Sequence, residues 1–269
     1  ANGPYCSFTH SWNGRYHSMT FSRPDDSHKH SLQTLNALDQ YDDFMESIAT
    51  VADLGCGTGE DLEWWATRVT RDENPQPLNI KCTGVDTTHQ IRFSKKYPNI
   101  SFQQANFEEN LIPPKEKFDI LWCHDAFQYC VNPLATLAKW WHCASDGGML
   151  AMVVPQTTNY YQKKEFFTQT SGCYYHYTIP NLIHMLAVNG WDCREGFFLK
   201  RPNEEWLHAV VYKSNHEPMD PRTTTLFDLV EKKLLPDSAV ASINAHGYIK
   251  QQDLVLPWLD KSLGSLANQ

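Results

Sequence analysis

Val51-Ala52-Asp53-Leu54-Gly55-Cys56-Gly57-Thr58-Gly59-Glu60 carries an apolar run with an embedded acid into three glycines spaced at every second position. Val51 to Leu54 reads as a buried parallel strand. Glycines beyond its C-terminal end let the backbone approach a ligand where any Cβ would collide. Asp61 to Val69, with Trp64, Trp65 and Val69 on one face, reads as the following helix, its free N–H groups directed at that ligand. The stretch therefore predicts a nucleotide-type cofactor site, against the plainer reading of a glycine-rich turn that holds nothing.

Spacing narrows the cofactor. A dinucleotide fingerprint wants its third glycine three residues after the second, where this chain has Glu60, and no Lys-Ser/Thr pair follows as a phosphate-cradling loop requires. What remains, Asp53-Leu54-Gly55-Cys56-Gly57-Thr58-Gly59, resembles the first motif of the class I S-adenosylmethionine-dependent methyltransferases, in particular the small-molecule, type 11/12-like members. The resemblance implies S-adenosylmethionine as cofactor and S-adenosylhomocysteine as product, held by Asp53, Gly55, Cys56, Gly57 and Gly59.

Further strands extend the pattern. Ile80 to Val85 stops at Asp86, and an acid at the end of the second strand of a doubly wound sheet sits beside the glycine turn, within reach of a ribose diol. The resemblance gives Asp86, with Thr87 next to it, the adenosine ribose. Ile100 to Phe107 reads as an alternating third strand followed by a polar residue, Asn106, and an aromatic, Phe107. The family usually places an acid where Asn106 stands, to meet the adenine amino group. Asn still accepts through its carbonyl oxygen, while Phe107 packs either on the ring or in the core. Phe118 to Cys123 is a fourth strand, continuously apolar as strands buried on both faces are. It delivers His124-Asp125-Ala126-Phe127-Gln128-Tyr129 to the same sheet edge as the glycines. Met149 to Val154, after the Gly147-Gly148 turn, is a fifth strand, and Asp192 to Leu199 with Trp206 to Tyr212 makes a terminal hairpin. The expected fold is α/β, a doubly wound, mostly parallel seven-stranded sheet of the Rossmann-like methyltransferase type with helical N- and C-terminal additions.

The expected organisation has three parts: residues 1–44, an aromatic arm or lid with a helix; 45–213, the cofactor-binding core with an aromatic insertion at 156–178; and 214–269, a helical extension. The first 30 residues are rich in Tyr, Phe, Trp and His without a regular period. Trp12, Tyr16 and His17 read either as a lid over the substrate or as an arm packed on the domain or a second subunit. Tyr160 and Tyr175 in the insertion are further substrate-lining candidates, and Ile179 to Val188 is a helix closed by Gly190. Amphipathic helices are expected around Thr225 to Leu235, where Leu226, Leu229, Val230 and Leu234 share a face, and Gln252 to Leu263.

Composition sets the outer bounds. With 269 residues and 41% apolar content the chain can bury a core. No window nears the ~18 uninterrupted apolar residues of a membrane span, and the N-terminus lacks a signal-peptide pattern, so a cytoplasmic, membrane-free protein is expected. The eight cysteines include no Cys-x-x-Cys pair, which favours reduced thiols over disulfides or zinc. Asp25, His28 and His30 look loosely like metal ligands, but helix capping by Asp26 or Ser27 accounts for that segment, and no metal is expected. A net charge of −8 argues against nucleic acid as substrate, and the fourth-strand edge lacks the Asp/Asn-Pro-Pro-aromatic pattern of nucleic-acid amino-methylating enzymes. A small-molecule acceptor and a monomer or homodimer are expected.

The chemistry so read is methyl transfer to N, O or S by aligned direct displacement, with His124, Asp125 and Tyr129 as the catalytic candidates. His124 is a general base by its near-neutral pKa or a cofactor contact; Asp125 and Tyr129, four residues apart on the ensuing helix, are acceptor contacts. The phosphobase methyltransferases carry a His where this chain has Tyr129. Aminopropyl transfer, cofactor cleavage on the same fold, and a non-catalytic cofactor-binding subunit are the competing readings.

Overall fold

The computed structural model describes residues 27–88, 96–109, 117–156, 174–200 and 206–256. Seven strands form one sheet: β1 Thr50–Leu54, β2 Lys81–Asp86, β3 Ile100–Gln104, β4 Phe118–His124, β5 Ala144–Pro155, β6 Trp191–Lys200 and β7 Trp206–Lys213. Their spatial order is β3-β2-β1-β4-β5-β7-β6. The first five are parallel, and β7 runs antiparallel between β5 and β6. All five parallel strands thus present their C-terminal ends on one edge, with the order reversing beside β1, where open α/β sheets bind ligands.

The apolar character of β4 follows from its position in the middle of the sheet. Ile120 and Trp122 face one layer, with Leu35 of α1 (Ser27–Leu38) and Leu62 and Trp65 of α3 (Glu60–Ala66). Leu121 and Cys123 face the other, with Leu137 and Trp140 of α4 (Pro133–Cys143) and Leu182 and Leu186 of α5 (Ile179–Val188). A short helix α2, Asp42–Ser47, leads into β1. Local chemistry fixes the helix ends: Asn132 and Thr178 accept from Ala135 N and Asn181 N to cap α4 and α5, and Gly190, at φ 77°, ends α5. The helix over 179–188 falls where the sequence predicts it.

Several boundaries differ from expectation. Helix α3 stops at Ala66, so Val69 lies beyond it and is exposed rather than sharing the Trp65 face. The third strand ends at Gln104, with Asn106 and Phe107 after it as the sequence has them. The fifth begins at Ala144, and Gly147-Gly148 lies within it as an irregularity, with a register shift opposite Phe118–Ile120, instead of preceding it. In the C-terminal part, α6 (Leu226–Glu231) is closed at its start by a Thr225/Asp228 capping box. Leu229 and Leu234 bury into the same core layer as α4 and α5, with Leu226 and Val230 packed at its margin. The expected helix from Gln252 does not form over 254–256; instead α7 spans Asp237–His246, and a single 3₁₀ turn covers Gln251–Asp253. No helix among the described residues is long and apolar enough to cross a membrane.

Candidate active site

The glycine turn is built from backbone geometry that few other residues tolerate. Gly55, Gly57 and Gly59 have φ of 84°, 52° and 91°, the left-handed region in which a Cβ is strained. A Cβ on Gly55 would also overlap Ala126 Cβ, so the turn lies directly on the segment leaving β4. The N–H groups of Gly55 and Cys56 donate to Val85 O at 2.8 and 3.2 Å, clipping the turn to the end of β2.

Asp86 completes this arrangement. Its Oδ2 accepts from Gly57 N at 2.9 Å, and its Oδ1 accepts from Thr88 N and Thr88 Oγ1, each at 2.8 Å. An ionised carboxylate has about four lone-pair sites, so these three donors leave Oδ2 with capacity for one more. The side chain is half-buried at the sheet edge. Ala105 N donates to Asp86 O at 2.9 Å, zipping the end of β3 to that of β2.

The remaining cofactor candidates divide by where their side chains go. Asp53 is buried within β1, and Cys56 is buried in the core layer of α1 and α3. Thr87 is exposed, its carbonyl accepting from Gln104 Nε2 at 3.1 Å. Asn106 Oδ1 accepts from Glu108 N at 2.9 Å, a local turn that already uses the carbonyl. Phe107 packs on Trp140, ring centroids 5.9 Å apart, and its Cε1 lies 3.5 Å from where a Gly55 Cβ would stand. One part of the ring thus packs in the core and another borders the turn.

At the end of β4, His124 is 1% exposed. Its Nδ1 lies 3.2 Å from Asp61 Oδ2, which also accepts from Trp122 Nε1 at 2.9 Å, while Asp61 Oδ1 accepts from Ser31 Oγ at 2.8 Å. A buried carboxylate in the first turn of α3 thereby joins α1, α3 and β4. Thr34 Oγ1 and His208 Nδ1, 2.8 Å apart, connect α1 to β7 as well. Asp61 is a site residue that the sequence reading passes over: an acid in a first helical turn looks like routine dipole compensation, and its partners lie 30 to 63 positions away.

The chain turns sharply after His124. Asp125 adopts φ 51°, and Phe127–Tyr129 is a 3₁₀ turn, so Asp125 and Tyr129 are not successive turns of one α-helix as expected. Asp125 Oδ1 instead accepts from Gln128 Nε2 at 2.6 Å. Tyr129 stays half-buried at the end of the turn. The segment after the insertion closes on this turn: Tyr174 N donates to Gln128 O at 2.9 Å, and Tyr175 Oη reaches Val131 O at 3.4 Å. Trp12, Tyr16, His17 and Tyr160 lie outside the described residues.

The buried thiols are held as neutral groups. Burial pushes Cys82 up to about 12, with Asp53 adding to the rise, and pushes Cys123, Cys130 and Cys193 well above the usual range. None of the six described cysteines forms a disulfide, and among the described residues no group of three potential ligands gathers in metal-binding geometry.

The strand order and glycine turn define a class I S-adenosylmethionine-dependent methyltransferase fold. The chain belongs to the methyltransferase domain family, whose match covers residues 46–201. Among curated proteins it is similar to the trans-aconitate 2-methyltransferase of Deinococcus radiodurans, 32% identical over 40% of this chain and 38% of that protein. It is also similar to the ubiquinone/menaquinone biosynthesis C-methyltransferase UbiE of Campylobacter jejuni, 25% identical over 64% of this chain and 75% of that one. The chain spans about two fifths of the length of the trans-aconitate methyltransferases it matches. Among solved structures, the N-methyltransferase NodS of Bradyrhizobium japonicum, in complex with S-adenosylhomocysteine, matches with a TM-score of 0.50 at 13% identity, over 73% of this chain and 93% of that one.

Proposed function

We propose that the protein binds S-adenosylmethionine across the ends of β1, β2 and β3 and transfers its methyl group to a small molecule at the β4–β5 edge. The observation that carries this reading is Asp86, which clips the glycine turn through Gly57 N yet keeps acceptor capacity for a ribose hydroxyl. The donor set fits the group. Asp86 sets a half-buried carboxylate against the glycine turn, an arrangement that suits a ribose hydroxyl and repels a pyrophosphate.

The bound cofactor would supply an activated methyl electrophile. The protein's task is then positional: Gly55, Gly57 and Gly59 give close backbone approach, Asp86 fixes the ribose, and Phe107 borders the base. Asp61 holds His124 by Nδ1 beneath α1, making the imidazole part of the floor of the methionine end. Asp125 and Tyr129, beyond that floor, face the acceptor. The buried, high-pKa thiols oppose a cysteine nucleophile among the described residues, and cysteines there that form no disulfide support a reducing, cytoplasmic setting.

Calorimetric titration with S-adenosylhomocysteine tests the reading. Saturable binding that Asp86→Ala weakens supports it; no binding by the folded protein overturns it.

A further inference from the structure

Gln128 is 2% exposed, and its two polar atoms have unequal fates. Nε2 donates to Asp125 Oδ1 at 2.6 Å. Oε1 is buried and has no hydrogen-bond partner. A buried amide oxygen left unpaired keeps its full desolvation penalty, which protein cores rarely carry without a reason. The amide cannot be turned over to relieve it, because its nitrogen is the donor that the Asp125 carboxylate requires.

The placement of this oxygen indicates what would satisfy it. Gln128 sits in the 3₁₀ turn that follows β4, two residues from Ala126, against which Gly55 of the cofactor turn packs. The turn is held on its other side by Tyr174 N, which donates to Gln128 O. Asp125, its partner, stands in a left-handed conformation at φ 51°, a sparsely populated region that clusters at functional sites.

We propose that Gln128 is a specificity-determining residue: its amide oxygen and the Asp125 carboxylate form a paired acceptor site that selects an amine as the methyl acceptor. This rests on the methyltransferase reading above and names the substrate class of the same site. An amine or ammonium head group brings two or three N–H donors, enough for both oxygens at once, whereas a hydroxyl brings one. A carboxylate or phosphate acceptor brings none and is repelled by Asp125. In the transfer, the ammonium first loses one N–H proton, which passes through Asp125 to water. The nitrogen lone pair then forms the N–CH₃ bond as the methyl–sulfur bond breaks, its electron pair staying on sulfur. Gln128 Oε1 keeps one remaining N–H throughout and so aims the lone pair.

The test uses the full chain, methyl-labelled S-adenosylmethionine and a metabolite extract, with products separated by cation and anion exchange. Label is expected in the cation-retained, methylamine fraction. For the labelled amine, Gln128→Met, which keeps the volume and removes the amide, is expected to raise KM about tenfold with S-adenosylhomocysteine affinity unchanged. Gln128→Glu, which keeps an oxygen at the same reach, is expected to retain more of the wild-type KM than Gln128→Met does, and it covers the case in which the Met variant fails to fold. Label recovered as carboxylate esters, no labelled amine, or a KM indifferent to both substitutions overturns the inference while leaving cofactor binding intact. Loss of S-adenosylhomocysteine binding by the wild-type protein instead overturns the methyltransferase reading on which it rests.

Discussion

The two halves of the site are made in different ways. The cofactor half, at the ends of β1, β2 and β3, is mostly backbone: Gly55, Cys56 and Gly57 bond to Val85 O and Asp86, and Ala105 N closes on Asp86 O. The proposed acceptor half, at the ends of β4 and β5, is held by side chains: Asp125 by Gln128, beside the buried network in which Ser31, Trp122 and His124 meet Asp61. A backbone-built site constrains few side-chain identities beyond glycine and one acid. A side-chain-built site can be rewired by single substitutions, which is where differences in acceptor would arise on a shared fold.

The largest effect expected from breaking this division is at Asp61. Asp61→Ala leaves the buried Trp122 indole, Ser31 hydroxyl and His124 ring without their shared acceptor, and stability should fall by about 3–5 kcal/mol, the usual loss when one member of a buried charged network is removed. Denaturant unfolding checks this; a loss below about 1 kcal/mol would mean that α1 is not held through Asp61.

Asp86→Ala comes next. It should weaken S-adenosylhomocysteine binding by about 1–3 kcal/mol, the range for a hydrogen bond to a charged group, as read by calorimetry. Asp125→Ala sharpens the same comparison from the other side. Turnover should drop by at least about tenfold while cofactor affinity stays within about twofold, consistent with one lost charge-assisted contact to the acceptor. Cofactor binding abolished in a folded Asp125→Ala protein would erase the distinction between the halves.

The smallest effect lies outside both halves, where α3 meets the segment that enters β3. The Tyr97 hydroxyl, 2.5 Å from Glu63 Oε1, and secondarily Lys96 hold the Glu63 carboxyl below its ordinary value of 4.5. A depressed folded-state value contributes stability that is complete above about 4.5 and fades as pH falls through the lower folded value. Tyr97→Phe should therefore reduce stability near neutrality by a small amount. The difference from wild type should shrink as acid protonates Glu63, and a gap that widens toward acid would refute the assignment.

How far each half was legible in the sequence follows from this construction. Glycines at alternate positions and an acid closing the next strand are local signals, so the parallel sheet, its glycine turn and the place of Asp86 could be read directly. The helix 179–188 was equally plain because Thr178, Pro180 and Gly190 mark both its ends. Asp61 and Gln128 carry no such mark, since their meaning depends on contacts that only the folded chain makes. The C-terminal extension misled for a different reason. Helix α7 buries only Ala239, Ser242 and Ile243, too small a face to produce a strong apolar period, whereas Leu254 and Leu256 suggest one and merely pack at the edge of the core. Its true signals were the caps: Pro236 before Asp237 and Gly247 at φ 79° after His246.

The packing of Gly55 on Ala126 means that the two halves share a wall one methyl group thick. A segment transplanted from another enzyme to change the acceptor would have to arrive with a side chain at position 126 that leaves the Gly55 turn its room. Recombination of acceptor specificity on this scaffold is thereby limited by a residue that need touch neither ligand.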